Sequence, residues 1–100
     1  MIEAAIKITV PREKREELMQ TIKAILGPIR REKGCNSCHC YVDFDDENLF
    51  FIRQEWTTQR NLDAYLRSPL FSVLAGGMKL LNKEPEISFN SIAPREVNWQ

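Results

Sequence analysis

Apolar and polar residues alternate along the first ten positions of the chain. The apolar residues of this segment share one parity and are Ile2, Ala4, Ile6, Ile8 and Val10. Because side chains in a strand point alternately to opposite faces, this pattern predicts a half-buried β-strand. Pro11 ends that strand, and apolar residues spaced three and four apart then predict a helix over residues 12–32.

Two further β-rich segments, residues 35–44 and 49–57, flank a short acidic turn and predict a β-hairpin. Thr57 or Thr58 is suited to cap a following helix, because a hydroxyl can accept a hydrogen bond from the first helical turn. This helical piece carries residues 61–66.

Ser68-Pro69 restarts the helix, and the second piece is predicted to extend to about Leu81. Alternation returns over residues 86–93 and predicts the last strand, followed by an irregular tail over residues 94–100 that contains Trp99.

The predicted order is β-α-β-β-α-β. This order is typical of the ferredoxin-like α+β fold, an antiparallel four-stranded sheet with its helices on one face. The chain has 100 residues, so we expect a single domain over residues 1–100.

Charge and composition exclude several classes of partner. The 14 basic and 14 acidic residues cancel, and no basic patch or stripe favours nucleic acid. The longest apolar runs are too short to cross a membrane, and the N-terminus lacks the pattern of a signal peptide. With three cysteines and no disulfide-type spacing, we expect a cytoplasmic protein with reduced thiols.

Residues 35–39 read C-x-x-C-H, a spacing that can mark covalent haem attachment. Strand alternation would place Cys35 and Cys38 on opposite faces, with Cα atoms roughly 10 Å apart, which argues against haem and against a disulfide. We therefore interpret Cys38 and Cys40 as small buried residues. Haem or metal binding, and a reactive thiol facing a pocket, are the alternatives.

One face of the predicted sheet lacks a helix to cover it. It mixes charged and apolar side chains, among them Ala5, Lys7, His39, Tyr41, Phe51, Arg53 and Glu55. A solvated face would explain this mixture. We favour a second copy of the chain packed there, which predicts a homodimer.

Four stretches of the chain resemble the antibiotic biosynthesis monooxygenase family. They are residues 29–35, 43–50, 55–56 and 62–71, and the likeness extends from the first strand to the last. The resemblance implies a dimeric α+β barrel in which two sheets pack face to face. That architecture agrees with the uncovered face.

The resemblance also implies a reaction and a site. Some family members oxygenate quinol-type aromatic substrates with neither metal nor cofactor. By this likeness Tyr65 and Trp56 would be the catalytic residues, and the substrate pocket would be lined by Phe71, Gln54, Cys38 and Cys40. Members often have histidine where this chain has Tyr65 or Leu70, so the usual base is missing. The alternatives are a non-catalytic, dimeric module that binds a small aromatic molecule, and plain core packing of Trp56 and Tyr65.

A second branch of the family degrades haem with an Asn on the first strand, a Trp and a haem-binding His. Here the first strand has no Asn, Tyr65 stands at the Trp position and Ala75 stands at the His position. The resemblance therefore gives no support to haem degradation by that mechanism.

Overall fold

The computed structural model describes residues 1–79, 81 and 83–91. In chain order the elements are strand β1 (Ile2–Thr9), a 3-10 turn (Arg12–Lys14), helix α1 (Arg15–Arg30), strands β2 (Cys35–Val42) and β3 (Leu49–Trp56), helices α2 (Gln59–Leu66) and α3 (Pro69–Met78), and strand β4 (Glu86–Ser91). The predicted order is confirmed. The last predicted strand is described as far as Ser91, while its residues 92–93, the predicted tail 94–100 and Trp99 lie outside the described residues.

The four strands form one antiparallel sheet in the order β2-β3-β1-β4. This is the predicted ferredoxin-like α+β arrangement. On β1 and β3 the even-numbered residues are largely buried and the odd-numbered ones largely face outward, as the alternation predicted. We call the face that carries the odd-numbered residues of β1 and β3 the outer face.

Helix α1 contributes an apolar stripe to the core, because its buried residues recur every three or four positions. With the inward residues of the sheet and helices α2 and α3 they form a single apolar cluster. Its buried members are Ala4, Ile6, Ile8, Val10, Leu18, Ile22, Ile25, Ile29, Cys38, Phe50, Ile52, Trp56, Leu62, Tyr65, Leu74 and Met78.

Helices α1 and α3 end earlier than the sequence predicted, at Arg30 and Met78 rather than near residues 32 and 81. After α1 the chain turns through Gly34, whose φ of +83° is the left-handed conformation that favours glycine. The Gly34 carbonyl then accepts a hydrogen bond from the backbone N–H of Thr57 at 2.8 Å. This bond joins the start of β2 to the end of β3.

A β-bulge at Asn36 overturns the predicted direction of Cys35, whereas Cys38 faces the helices as predicted. Cys35 pairs with Trp56 and Ser37 pairs with Glu55, so Asn36 is an extra residue in β2. The extra residue reverses the parity, because residues paired across an antiparallel sheet share a face. Cys35 and Cys38 therefore lie on the same, helix-facing side of the sheet, contrary to the sequence prediction.

The turn between β2 and β3 corrects a second assignment. The Asp43 carboxylate accepts hydrogen bonds from the backbone N–H groups of Asp45 and Asp46, both at 3.0 Å. These bonds end the strand at Val42, so Phe44 lies in the turn and is fully exposed. The β-rich segment predicted over residues 35–44 therefore ends two residues early as a strand, because the side-chain bonds of Asp43 stop the alternation before Phe44.

Candidate functional site

Trp56 and Tyr65 stack against each other inside the core. Trp56 is the last residue of β3 and faces the helices, and Tyr65 lies in the last turn of α2. The ring centroids are 4.7 Å apart with an interplanar angle of 25°, and both side chains are buried. Thr58 fixes the start of α2 by accepting a hydrogen bond from the backbone N–H of Asn61 at 3.2 Å.

Gln54 connects the two aromatic residues. Its Oε1 accepts a hydrogen bond from Trp56 Nε1 at 3.1 Å, and its Nε2 donates to the Tyr65 hydroxyl at 3.2 Å. Gln54 is 1% exposed. Among the described residues, it is the one polar or charged residue that is buried with the apolar core. We call Gln54, Trp56 and Tyr65 the aromatic–amide cluster.

Phe71 lies between this cluster and a groove on the surface. Its ring meets that of Tyr65 edge-on, with centroids 5.5 Å apart and planes at 66°. Ser68 caps α3 by accepting a hydrogen bond from the backbone N–H of Phe71 at 3.2 Å, which places this side chain in the first turn. The groove, of about 540 Å³, lies between α3 and β4 and is lined by Phe71, Ala75, Met78, Lys79, Leu81, Glu84, Pro85 and Ile87.

Cys38 lies beside the cluster, paired with Gln54 across the β2–β3 ladder. Burial raises the pKa of its thiol to about 11, and the nearby Gln54 amide only partly offsets this effect. The thiol is therefore protonated at neutral pH, which makes it a poor nucleophile. Arg30 anchors this part of β2 by donating from Nε to the Cys38 carbonyl at 2.8 Å.

Cys40 lies apart from the aromatic–amide cluster, although the sequence placed it in the same pocket. It pairs with Ile52, two residues further along the ladder. There it lines a separate groove of about 210 Å³ with Met19, Ile22, Lys23, Leu26 and Val42, between α1 and β2. Burial raises the pKa of this thiol too.

Tyr65 is unsuited to act as a base. Burial raises the pKa of its hydroxyl to about 12, and the hydrogen bond from Gln54 opposes that effect only in part. The hydroxyl can therefore donate or accept a hydrogen bond at neutral pH, but it does not ionise there. The histidine of the chain, His39, lies on the outer face next to Tyr41 and does not reach the cluster.

The family of the chain follows from its sequence together with this fold. Residues 1–75 match the family model described as antibiotic biosynthesis monooxygenase. The chain belongs to the antibiotic biosynthesis monooxygenase family.

The chain is also similar to individual proteins and solved structures. An uncharacterized protein of Synechocystis sp. is 31% identical over 97 residues, which are 96% of this chain and 66% of the relative, so the chain spans just under two thirds of that protein's length. A conserved protein of Methanosarcina mazei Go1 is 27% identical, with a TM-score of 0.83 over 89% of each chain. A candidate antibiotic biosynthesis monooxygenase of Deinococcus radiodurans has the same fold, with a TM-score of 0.87 and 20% identity. The match covers 100% of this chain and 99% of that protein.

The sequence prediction missed Cys35 as a neighbour of the site. Cys35 is half-buried, packs against the core opposite Trp56, and has a thiol pKa that burial raises. Alternation alone assigned Cys35 to the other face of the sheet. In the sequence, the bulge that reverses this assignment is marked only by Gly34 and Asn36 at the start of the strand. The groove residues Met78 and Ile87 were likewise not predicted, although their apolar positions on α3 and β4 could have indicated them.

Residues 1–79, 81 and 83–91 hold no group of three or more His, Cys, Asp or Glu side chains arranged to bind a metal ion. Within the same residues, every helix is too short or too polar to cross a membrane.

Proposed function

We propose that this protein is a monooxygenase of the antibiotic biosynthesis type that acts on a small aromatic or quinol-type substrate without a cofactor. The observation that carries the proposal is the aromatic–amide cluster. A buried amide costs free energy unless it is hydrogen-bonded, and both ends of Gln54 are bonded to the aromatic side chains of Trp56 and Tyr65. A polar group held between aromatic rings in an apolar core suits a flat substrate that carries an oxygen.

The proposed reaction draws its electrons from the substrate. A deprotonated quinol passes electrons to O2, one oxygen atom is retained in the product and the other leaves as water. The protein would orient the substrate against the rings and stabilise its oxyanion by hydrogen bonding. Because Tyr65 is held neutral and does not take up the proton of the substrate, quinols that ionise readily in water should react fastest.

Access to the cluster would depend on Phe71. The groove between α3 and β4 ends at this side chain, and Tyr65 lies directly behind it. A change of the Phe71 rotamer would join the groove to the Tyr65 hydroxyl. We therefore place the substrate in the groove between α3 and β4, against Phe71 and next to Tyr65.

Oxygen consumption with a panel of quinols tests this function. The wild type should consume O2 with at least one quinol, and Tyr65→Phe should lower the rate by about tenfold through the loss of one hydrogen bond to the anion. Tyr41→Phe is the matched control, since Tyr41 lies on the outer face and its hydroxyl should not affect turnover. Unchanged rates in both Tyr65→Phe and Trp56→Phe would show that these two residues pack the core and have no role in turnover.

A non-catalytic binding module is the second candidate. The absence of a base beside the aromatic–amide cluster, within the residues that the structure describes, favours it. A wild type that binds quinols by calorimetry but oxidises none of the panel would establish this function in place of the enzyme.

We also propose that two copies associate through the outer face. This face carries concavities of about 600 and 550 Å³, and Tyr41 on it is 52% exposed. Its two lysine and arginine side chains are paired within the chain, Lys7 with Glu86 at 3.6 Å and Arg53 with Glu3 at 3.0 Å. Paired charges lower the cost of burying this face against a second copy.

The thiols support the predicted cytoplasmic location. Cys35, Cys38 and Cys40 are all free, and Cys35 and Cys38 share a face without being bonded. Free thiols are typical of a reducing compartment. We therefore infer that the domain works in the cytoplasm.

A further inference from the structure

The hydrogen bonds of the aromatic–amide cluster have only one possible direction. An indole N–H can donate but cannot accept, so the atom of Gln54 that faces Trp56 must be the amide oxygen. This contact fixes the orientation of the amide, whose two ends would otherwise be interchangeable. The opposite end, which faces Tyr65, must then be the NH2 group.

The direction of the next bond follows. An amide NH2 group donates and does not accept, so the Tyr65 hydroxyl oxygen accepts from Gln54 at 3.2 Å. The hydroxyl keeps its own proton. Within residues 1–79, 81 and 83–91 this amide is the hydroxyl's one hydrogen-bond partner, which leaves that proton available to a further acceptor.

We infer that Gln54 is a positioning residue that holds the Tyr65 hydroxyl as a hydrogen-bond donor, so that the site selects ligands through an accepting oxygen. A phenolate or a quinone carbonyl would fit such a donor. A neutral phenol that must donate its own proton would fit less well, because the Tyr65 hydroxyl oxygen already accepts a hydrogen bond from Gln54. The choice of ligand rests on the proposed function, whereas the direction of the hydrogen bonds does not.

Cys38 strengthens this selection. Its thiol is buried beside Gln54 and stays protonated, so it adds a second, weaker donor to the same region. The Trp56 N–H is thus directed inward at Gln54, whereas the Tyr65 hydroxyl and the Cys38 thiol beside the cluster both keep a proton that can be donated. A ligand oxygen that accepts hydrogen bonds would complete it.

A measurement without ligand tests the direction of the bonds. The ratio of the two Raman lines of the tyrosine Fermi doublet reports whether a hydroxyl accepts or donates a hydrogen bond. The chain has 2 tyrosines, so the Tyr41→Phe variant reports Tyr65 alone. We expect the high ratio of an acceptor in this variant, and a further rise when Gln54→Met is added, because the hydroxyl then loses the hydrogen bond that it accepts.

A low ratio in the Tyr41→Phe protein would overturn the inference whatever the Gln54→Met variant does, including a failure to fold. A high ratio that does not change in a folded Gln54→Met variant would also overturn it, because Gln54 would not be the donor. Circular dichroism of each variant shows whether it is folded.

A second measurement tests the ligand preference, with 4-nitrophenol as the probe because its phenolate absorbs in the visible range. The bound probe should favour the phenolate over the phenol by about tenfold, which lowers its apparent pKa by about one unit. Tyr65→Phe should abolish this shift and Gln54→Met should reduce it, while Tyr41→Phe should leave it unchanged.

The outcomes separate the two proposals. Binding of 4-nitrophenol with no pKa shift would overturn the selection by Tyr65 and leave the aromatic pocket intact. A failure of the wild type to bind 4-nitrophenol or any quinol would overturn the ligand preference together with the proposed function. The Raman result would then still decide the direction of the hydrogen bonds.

Discussion

Gln54 illustrates how a single side chain can shape a site inside an apolar core. Its neighbours on the inward face of β3 are Ile52 and Trp56, and an aliphatic residue at position 54 would pack there without needing hydrogen bonds. The amide instead bonds to Trp56 and Tyr65, which fixes the orientation of both rings. Satisfied in this way, the buried amide costs little and gives the cluster one defined arrangement.

Tyr65→Phe should therefore cost little stability. The ring stack on Trp56 is retained, and the loss is the hydrogen bond that Gln54 donates, so we expect the free energy of unfolding to fall by about 1 kcal/mol. Urea denaturation followed by Trp fluorescence measures this change. A loss several times larger would mean that the hydroxyl has a structural role beyond the cluster.

Cys38 and Tyr65 should make the protein less stable at alkaline pH. Burial raises the pKa of Cys38 from 9.0 to about 11 and that of Tyr65 from 10.0 to about 12. Above pH 9 the unfolded chain loses these protons first, so it binds fewer protons than the folded chain and stability falls as pH rises. The stabilisation is fully present below the unfolded pKa values and is lost between about pH 9 and 12.

Cys38→Ala isolates the contribution of the thiol. Between pH 7 and about pH 10.5, the free energy of unfolding should fall by roughly 1–2 kcal/mol more in the wild type than in the variant. This size follows because one pKa unit corresponds to about 1.4 kcal/mol. Urea denaturation at the two pH values gives the difference. Equal losses in the two proteins would show that Cys38 does not titrate differently on folding.

At the scale of elements, the junction between α1 and β2 positions the site. Gly34 turns the chain with a positive φ, and its carbonyl holds the backbone of Thr57, the residue that follows Trp56. Its Cα also lies against the side chain of Asn61 in α2. One glycine thus sets the distance between β2, the end of β3 and the helix that carries Tyr65.

Replacing Gly34 and Gly76 by alanine should have opposite effects. A Cβ at Gly34 would overlap the Asn61 side chain in a left-handed backbone, so Gly34→Ala should destabilise by about 2 kcal/mol or more. A Cβ at Gly76, inside α3, would meet nothing within 4 Å, so Gly76→Ala should stabilise by about 0.5–1 kcal/mol. Thermal denaturation measures both, and a neutral Gly34→Ala would contradict the close contact.

For the whole molecule, the outer face is the feature that the single chain leaves incomplete. Three helices cover the opposite side of the sheet, whereas Phe51 and Tyr41 on the outer face stay partly or largely exposed. A domain of 100 residues buries a modest part of its surface on its own. Pairing two such faces would extend the core of each copy.

Phe51→Glu should break the proposed dimer, because it places a charge in the middle of the outer face beside Tyr41. Light scattering at micromolar concentration should give a dimer for the wild type and a monomer for this variant. Val73→Glu is the control, since Val73 is an exposed apolar residue on α3, away from the outer face, and should leave the dimer intact. A wild type of monomer mass would contradict the proposal.

Local rules acting on the sequence alone determined most of the fold. Alternation of period two predicted which residues of β1 and β3 face inward, and the hydroxyl of Thr58 and the pair Ser68-Pro69 marked where α2 and α3 begin. These features depend on neighbouring residues and on the pleat of a strand, so they can be read from the order of residues. The pairing of Trp56 with Tyr65 was also expected, through the family resemblance.

Tertiary structure decided the features that depend on contacts between distant segments. The bulge at Asn36, which turns Cys35 towards Trp56, adds one residue to a strand, and a simple alternation assumes that no residue is added. The separation of Cys40 from the cluster depends on where α1 crosses β2. The direction of the hydrogen bonds of Gln54 follows only from the meeting of β3 and α2, because an amide can donate or accept until its partners are fixed in space.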